Sequence, residues 1–411
     1  MQNNDDKELY VPEGLIEKLI EKDLPKMKDK MISEFTDLLK IRDKIRDYLE
    51  SKDKIRYIFP DTTSIPTSCG VDGGYALRQL LGWDLVQVSS IIVEGITPPK
   101  EENKWKEPRF FYYSSFVDRK ERNSSVLRGI MIKLELHLIN NAPHTLKFID
   151  GSIKTPYIYL HQAYKSKGKV SDELWDVFIN KKDEVIESYS EKDDVLEFPT
   201  LNDALNDYLD ILTNKRTDMY YVAVPKAITT SYIKAEIEND IELDLRIDDR
   251  GLLNLILKPG ELLGPFDMVL EEEFHFKINE EDKEIIDEKI IGDITDNLEN
   301  WRVFYYALPD ESENGSRNRG VIRFEINSHI SKNKKRLRNV ITGIIHNTKF
   351  YPNIMEPYPL YIADKMVKST IYTLNISQES LSYEAIKQFI DKGIDPYHIL
   401  MLFNGYRTTE G

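Results

Sequence analysis

Two apolar runs of this chain end on an aspartate followed at once by small residues: Cys69-Gly70-Val71-Asp72-Gly73-Gly74 and Lys147-Phe148-Ile149-Asp150-Gly151-Ser152. A carboxylate at a strand end, followed by glycine that lets backbone and ligand come close, is a common way to build an acidic metal site. The two lie far apart in the chain, so their pairing is a spatial expectation rather than a local motif. Other parts of the chain must supply the remaining ligands.

With 411 residues the chain can form one large α/β domain with additions, or two domains. Its 41% hydrophobic and 31% charged content, with 23 tyrosines, fits an ordered protein rather than a disordered one. Apolar runs such as Ser89-Ser90-Ile91-Ile92-Val93 are too short to cross a bilayer, so no membrane association is expected. The polar, acidic start Met1-Gln2-Asn3-Asn4-Asp5-Asp6-Lys7 does not resemble a signal peptide, and a cytoplasmic protein is expected. The single Cys69 excludes an intramolecular disulfide and any multi-cysteine zinc site. A formal charge of −15 argues against a protein that coats nucleic acid through a broad basic surface. It leaves room for an enzyme with a local basic channel, because the acidic runs from Glu236 to Asp249 and from Glu271 through Glu288 read as solvated surface.

Residues 12–50 read as one or two charged amphipathic helices divided at Pro25, with Leu15, Leu19, Ile20, Ile32, Phe35, Leu38, Leu39 and Ile41 on the apolar face. Covering the domain's own core is the simplest use of that face. From Ser68 to Val93, three short β-like runs separated by glycines suggest an antiparallel meander, and Phe110-Phe111-Tyr112-Tyr113 an edge or inserted strand. A helix follows, capped by Ser124 or Ser125 and ending at Asn140-Asn141 and Pro143, then a strand closing on Asp150. Residues 153–215 look mainly helical. Strands are expected at Tyr220–Val224, Leu252–Leu257, Trp301–Leu308 and Gly320–Ile326, and helices near 332–345, 359–373 and 380–391.

Glu135 shares a helix face with Met131, Ile132, Leu138 and Ile139. A carboxylate in an apolar stripe needs a salt bridge, a proton or a metal ion. Partial exposure, or pairing with Arg128, is the plainer alternative. An acid on the first strand, two further strands, an acid on the next helix and an acid ending the next strand together resemble the ribonuclease H-like plan. In that plan the sheet holds the first and third acids side by side and the helix supplies the second. A late helix supplies a fourth ligand, the position of Asp364; a solvated helix residue is its plainer reading.

Val71-Asp72-Gly73-Gly74, Glu135 before Phe148-Ile149-Asp150-Gly151-Ser152, and Pro357-Tyr358-Pro359-Leu360 with Ala363-Asp364 resemble the NurA nuclease domain over residues 67–372. Val222-Ala223-Val224-Pro225-Lys226 and Arg323-Phe324-Glu325-Ile326 agree with it. The chain departs from the family's late motif at Met355 (glycine position), Glu356 (tyrosine position) and Asp364 (histidine position). Asp keeps an oxygen donor there, so metal preference and activity level are affected rather than fold.

This resemblance implies an α/β, ribonuclease H-like mixed sheet flanked by helices, with an N-terminal helical extension (1–60), a nuclease domain (61–375) carrying insertions near 99–120 and 232–300, and a C-terminal helical tail (376–411). It implies a manganese- or magnesium-dependent DNA nuclease that works as a homodimer on a HerA-type hexameric ATPase, in DNA end processing or anti-phage defence. Two ions roughly 3.5–4 Å apart can make a water nucleophile and stabilise the charge of phosphodiester hydrolysis. In this scheme Asp72 bridges the ions, Asp150 and Glu135 bind one or the other, and Asp364 holds the second. Lys226 contacts a phosphate and Tyr358 a nucleotide, with a surface lysine and a packed Pro-Tyr-Pro turn as their structural alternatives. His137, His144 and Cys69 are read as structural. A scaffold subunit with weak chemistry, or another ribonuclease H-like nuclease, are the competing functions.

Overall fold

The computed structural model describes residues 14–393 apart from 81, 181–195, 215, 217, 227–230, 238–247, 270–275, 277, 284, 285, 310–317 and 350–354, together with 395 and 397. Its centre is a nine-stranded sheet in the order β1-β7-β8-β9-β6-β5-β2-β3-β4. Strand β1 (Ile55–Tyr57) follows the N-terminal helices; β2 (Ser68–Gln79), β3 (Trp83–Glu94) and β4 (Arg109–Asp118) then form an antiparallel meander. The three short runs expected between Ser68 and Val93 are therefore two long strands. Their glycines do not end β2, because they sit where other elements press against it. Almost every position of β3 is buried, since helices cover both faces, and so it reads as a continuous apolar run rather than an alternating one. β4 is the sheet edge, as the Phe110–Tyr113 aromatics suggested.

Two short helical pieces, α1 (Leu15–Lys18) and a π-helical turn (Leu19–Asp23), lead into α2 (Leu24–Ser51). Pro25 opens α2 instead of cutting a helix, since its missing N–H costs nothing in a first turn. The apolar face of this segment does not cover the core over most of its length. Leu15, Leu19, Ile20, Ile32, Phe35 and Leu39 are exposed, and burial is complete only at Ile45 and Leu49. There Arg46 grips Glu261 with both Nη atoms, at 2.9 and 2.7 Å, and donates to the Ile256 carbonyl.

After β4 comes α3 (Asn123–Asn141), buried on nearly every side between the sheet and the next helices. It starts at Asn123 without a side-chain cap, contrary to the serine caps expected. The Asn123 amide is used instead to tie Asp84 Oδ2 and the Asp118 carbonyl. β5 (Leu146–Asp150) follows, then α4 (Thr155–Tyr164), α5 (Asp172–Ile179), α6 (Leu201–Thr213) and β6 (Tyr220–Val224). Past α7 (Tyr232–Ile237), the strand expected at Leu252–Leu257 is the helix α8 (Asp249–Ile256). Asp248 caps its first turn, and Leu252, Leu253 and Ile256 bury one side at helical spacing. The strand of this region is β7 (Glu261–Asp267), whose Gly264 and Pro265 fall where its ladder with β8 shifts register and hide the alternation. Segments 99–120 and 232–300 thus each give the sheet a strand.

The chain ends with α9 (Glu288–Leu298), β8 (Trp301–Pro309), β9 (Asn318–Asn327), α10 (Ser328–Ser331), α11 (Lys334–Thr348) and α12 (Tyr358–Asp391). The two last helices expected are one, because no glycine or proline interrupts the sequence between Pro359 and Gly393. Parts of the acidic runs lie outside the described residues. Within them Asp249 is not solvated: it is buried, accepting from the Tyr232 amide and the Tyr305 hydroxyl, each at 2.7 Å. Among the described residues no helix is long and apolar enough to cross a membrane.

Candidate active site

Strand register brings the distant acids together. β2 and β5 run parallel, with Val71 opposite Ile149 as their last pair, so Asp72 and Asp150 are the next residues on adjoining strands. β5 and β6 are also parallel, Asp150 lying opposite Val224, and Lys226 follows two residues later. The carboxylates and the lysine therefore gather where three parallel strands leave their shared ladder.

The glycines around Asp72 admit the elements that complete the cluster. A Cβ on Gly70 would meet the Leu360 amide nitrogen at 2.9 Å, and one on Gly74 would meet Val367 Cγ1 at 2.5 Å. Both contacts come from α12, and Asp364 lies on that helix face, one turn from each of its contact residues. A Cβ on Gly73 would lie 2.3 Å from Glu135 Oε1. Glu135 thus arrives from α3 on the opposite face of the sheet, where β2 and β5 have stopped pairing. Arg128 is not its partner: the guanidinium binds the Tyr75 hydroxyl at 3.0 Å and stacks over Tyr159.

Asp72 is 8% exposed and Glu135 7%. Burial, together with the neighbouring Asp150, pushes the Asp72 carboxyl up to about 7. Burial, then Asp72 and Asp150, hold that of Glu135 well above the usual carboxylate range. Lys226 is the counter-ion in their midst. Its Nζ stands 3.2 Å from Asp150 Oδ2, 3.2 Å from Glu356 Oε2 and 3.9 Å from Asp364 Oδ1. Burial works against the ammonium, but Asp150, Glu356 and Asp72 outweigh it and raise its pKa. Asp364 is also paired with Lys368 at 2.8 Å.

Glu356 joins this cluster although the sequence marked it only as a departure from a motif. Burial raises its pKa, against the opposing pull of the Lys226 ammonium 3.2 Å from its Oε2. Glu325 is a second residue that the sequence reading did not place at the site. Wholly buried, it accepts from Ser152 Oγ and the Ile153 amide, each at 2.9 Å, and from Arg323 Nη2 at 2.8 Å. It thereby holds the turn after Asp150, where Gly151 has φ +80°. Its signal was the alternation Arg323-Phe324-Glu325-Ile326, which sets both charges on one side of β9. Tyr358 is the first residue of α12 and half-buried. His137 pairs with Asp207 and His144 with Glu94, each at 2.7 Å, and Cys69 is buried with its thiol pushed up to about 12 by burial.

Among the described residues no three of these acids stand close enough to hold a metal ion as they are placed. Their chemistry nevertheless suits one. The donors are all carboxylate oxygens, as hard divalent cations prefer, and an ammonium stands between three of the acids.

No family model matches the chain, and no curated protein matches it in sequence. Among solved structures it is similar to the NurA nuclease from Sulfolobus solfataricus, with a TM-score of 0.50 and 14% identity over 87% of this chain and 96% of that one. A structure of NurA with manganese is similar at a TM-score of 0.48 and 12% identity, over 87% of this chain and 98% of that one. The fold is ribonuclease H-like, a mixed sheet flanked by helices.

Proposed function

We propose that this chain is a metal-dependent DNA nuclease that hydrolyses phosphodiester bonds at the Asp72, Glu135, Asp150 and Asp364 cluster. The observation that carries the reading is that acids from β2, α3, β5 and α12 gather around Lys226, with Asp72 and Glu135 buried and held protonated at an electrostatic cost that a folded domain has no need to bear. The likeness of fold to the NurA nuclease from Sulfolobus solfataricus supports it.

Manganese or magnesium, when bound, would supply a water nucleophile near neutral pH and stabilise the phosphate charge. Asp72 and Asp150, side by side, would hold such ions with Glu135 and Asp364. Lys226, which pairs with Asp150 and Glu356, would offer a phosphate oxygen a point charge once such ions were bound. Tyr358, at the start of α12, offers a ring to a neighbouring nucleotide. Glu325 keeps Asp150 in place through the Ser152–Ile153 turn. As in the resemblance drawn from the sequence, the nuclease would act as a homodimer with a HerA-type hexameric ATPase, in DNA end processing or anti-phage defence. A cytoplasmic location follows from such a role.

A second reading has its own support. Lys226 already neutralises Asp150 and Glu356, which is how a scaffold that had lost its ions would quiet the site. Cleavage of linear single- and double-stranded DNA with manganese or magnesium, with and without the ATPase, separates the two. We expect wild type to cut and Asp72→Ala to be inert; equal products from both proteins would end the assignment.

A further inference from the structure

A groove of about 890 Å³ lies at the β1 edge of the sheet, between the segment after β1 and the α10–α11 corner. In a chain of net charge −15 it is basic. Arg56, Arg302, Lys332, Lys334, Lys335 and Arg338 line it, with Asp61 the one acid among the described lining residues. Arg302 is tied to Asp267 at 3.0 Å and Arg338 donates to the Phe59 carbonyl at 2.8 Å. Lys332, Lys334 and Lys335 are exposed and form no ion pair among the described residues. The cations also crowd the start of α11, an end of a helix that disfavours positive charge, so folding alone does not account for them.

The groove offers flat apolar surface as well. Tyr57 and Phe59 are 55% and 64% exposed, and their ring centroids lie 4.4 Å apart. Neighbouring exposed rings beside a row of unpaired ammonium groups match a ligand that alternates planar faces with anions. An acidic peptide would answer the charge but leave the rings unused.

We propose that this groove binds single-stranded nucleic acid, Lys332, Lys334, Lys335 and Arg338 taking the phosphates and Tyr57 and Phe59 stacking on bases. It goes beyond the carboxylate cluster: in the sheet, β9 and β6 lie between the groove's strands β1, β7 and β8 and the cluster's strands β5 and β2. As a binding statement it stands whether or not that cluster cuts.

The test is fluorescence anisotropy with a labelled oligothymidylate in EDTA, so that cleavage plays no part, with circular dichroism confirming that each variant is folded. Lys334→Glu/Lys335→Glu should weaken binding about tenfold or more and flatten its dependence on salt. Phe59→Ala should weaken it about fivefold. The proposal fails if wild type does not bind, or if the double reversal and Phe59→Ala both bind like wild type. It fails equally if poly-glutamate displaces the oligonucleotide at matched charge, which would make the groove a site for an acidic protein.

Discussion

In the absence of metal, Asp72 and Glu135 hold protons well above the usual carboxylate range, because burial and mutual repulsion disfavour their charges. The folded state then binds more protons than the unfolded one between the ordinary carboxylate range and pH 7, so metal-free stability falls as pH rises through that window. Asp72→Asn should therefore raise metal-free stability at pH 8 by about 1–3 kcal/mol, read as a higher midpoint in a urea titration. Manganese bound at the proposed site would have to displace these protons, so its affinity should climb between pH 6 and 8. Calorimetry in two buffers of different ionisation enthalpy should show proton release at pH 6.5. Lys133 behaves in the opposite sense. Fully buried and donating to the Val177 and Phe178 carbonyls at 2.6 and 3.1 Å, it is lowered by burial to about 7. The unfolded chain holds that proton up to the ordinary lysine range, so stability should rise from pH 7 towards 10, and Lys133→Met should remove the rise. None of this was visible in the residue string, where Lys133 looks like any charged helix position.

At the level of elements, the acid cluster depends on how closely two helices approach β2. Gly73→Ala would drive a methyl into Glu135 Oε1 and Met131, and should cost about 1–3 kcal/mol while weakening the response of the thermal midpoint to manganese. Gly70→Ala would press on the backbone of α12 at Leu360 and should act on both quantities through Asp364. The glycine pattern was legible as a sign of close approach, but not what approaches. Two helices do, where a ligand was the expectation. Likewise Leu252–Leu257 has an apolar content that suits either a strand or a helix; the Asp248 cap and one-sided burial decide for α8. Glu325→Gln should leave Arg323 buried without its charge partner, destabilise the fold by about 3 kcal/mol, and loosen the turn after Asp150. Reduced manganese affinity alongside the lost stability would mark it as a positioning residue.

For the whole molecule, the N-terminal helices stand largely apart from the core they were expected to cover. Their anchor begins near Leu38 and Ile41 and is completed by Ile45, Arg46 and Leu49. Removing residues 1–37 should leave the thermal midpoint nearly unchanged, yet alter self-association or co-purification with the ATPase, read by light scattering after gel filtration. Unchanged association would leave the exposed apolar face without a role in assembly. The residue string by itself determined the chemical types and most of the elements: strands carrying Asp72 and Asp150, Glu135 in an apolar helix stripe, and a late helix with Asp364; Asp150 ends its strand as expected, whereas Asp72 lies inside β2, which runs on to Gln79. Those depend on periodicity and local propensity, which a chain carries within a few residues. Only the tertiary structure decided that Asp72 and Asp150 are neighbours, that Glu135 reaches them from the opposite face, and that Lys226 and Glu356 share the space. Strand register and the approach of helices to a sheet are set by packing between segments far apart in sequence, and no local pattern encodes them.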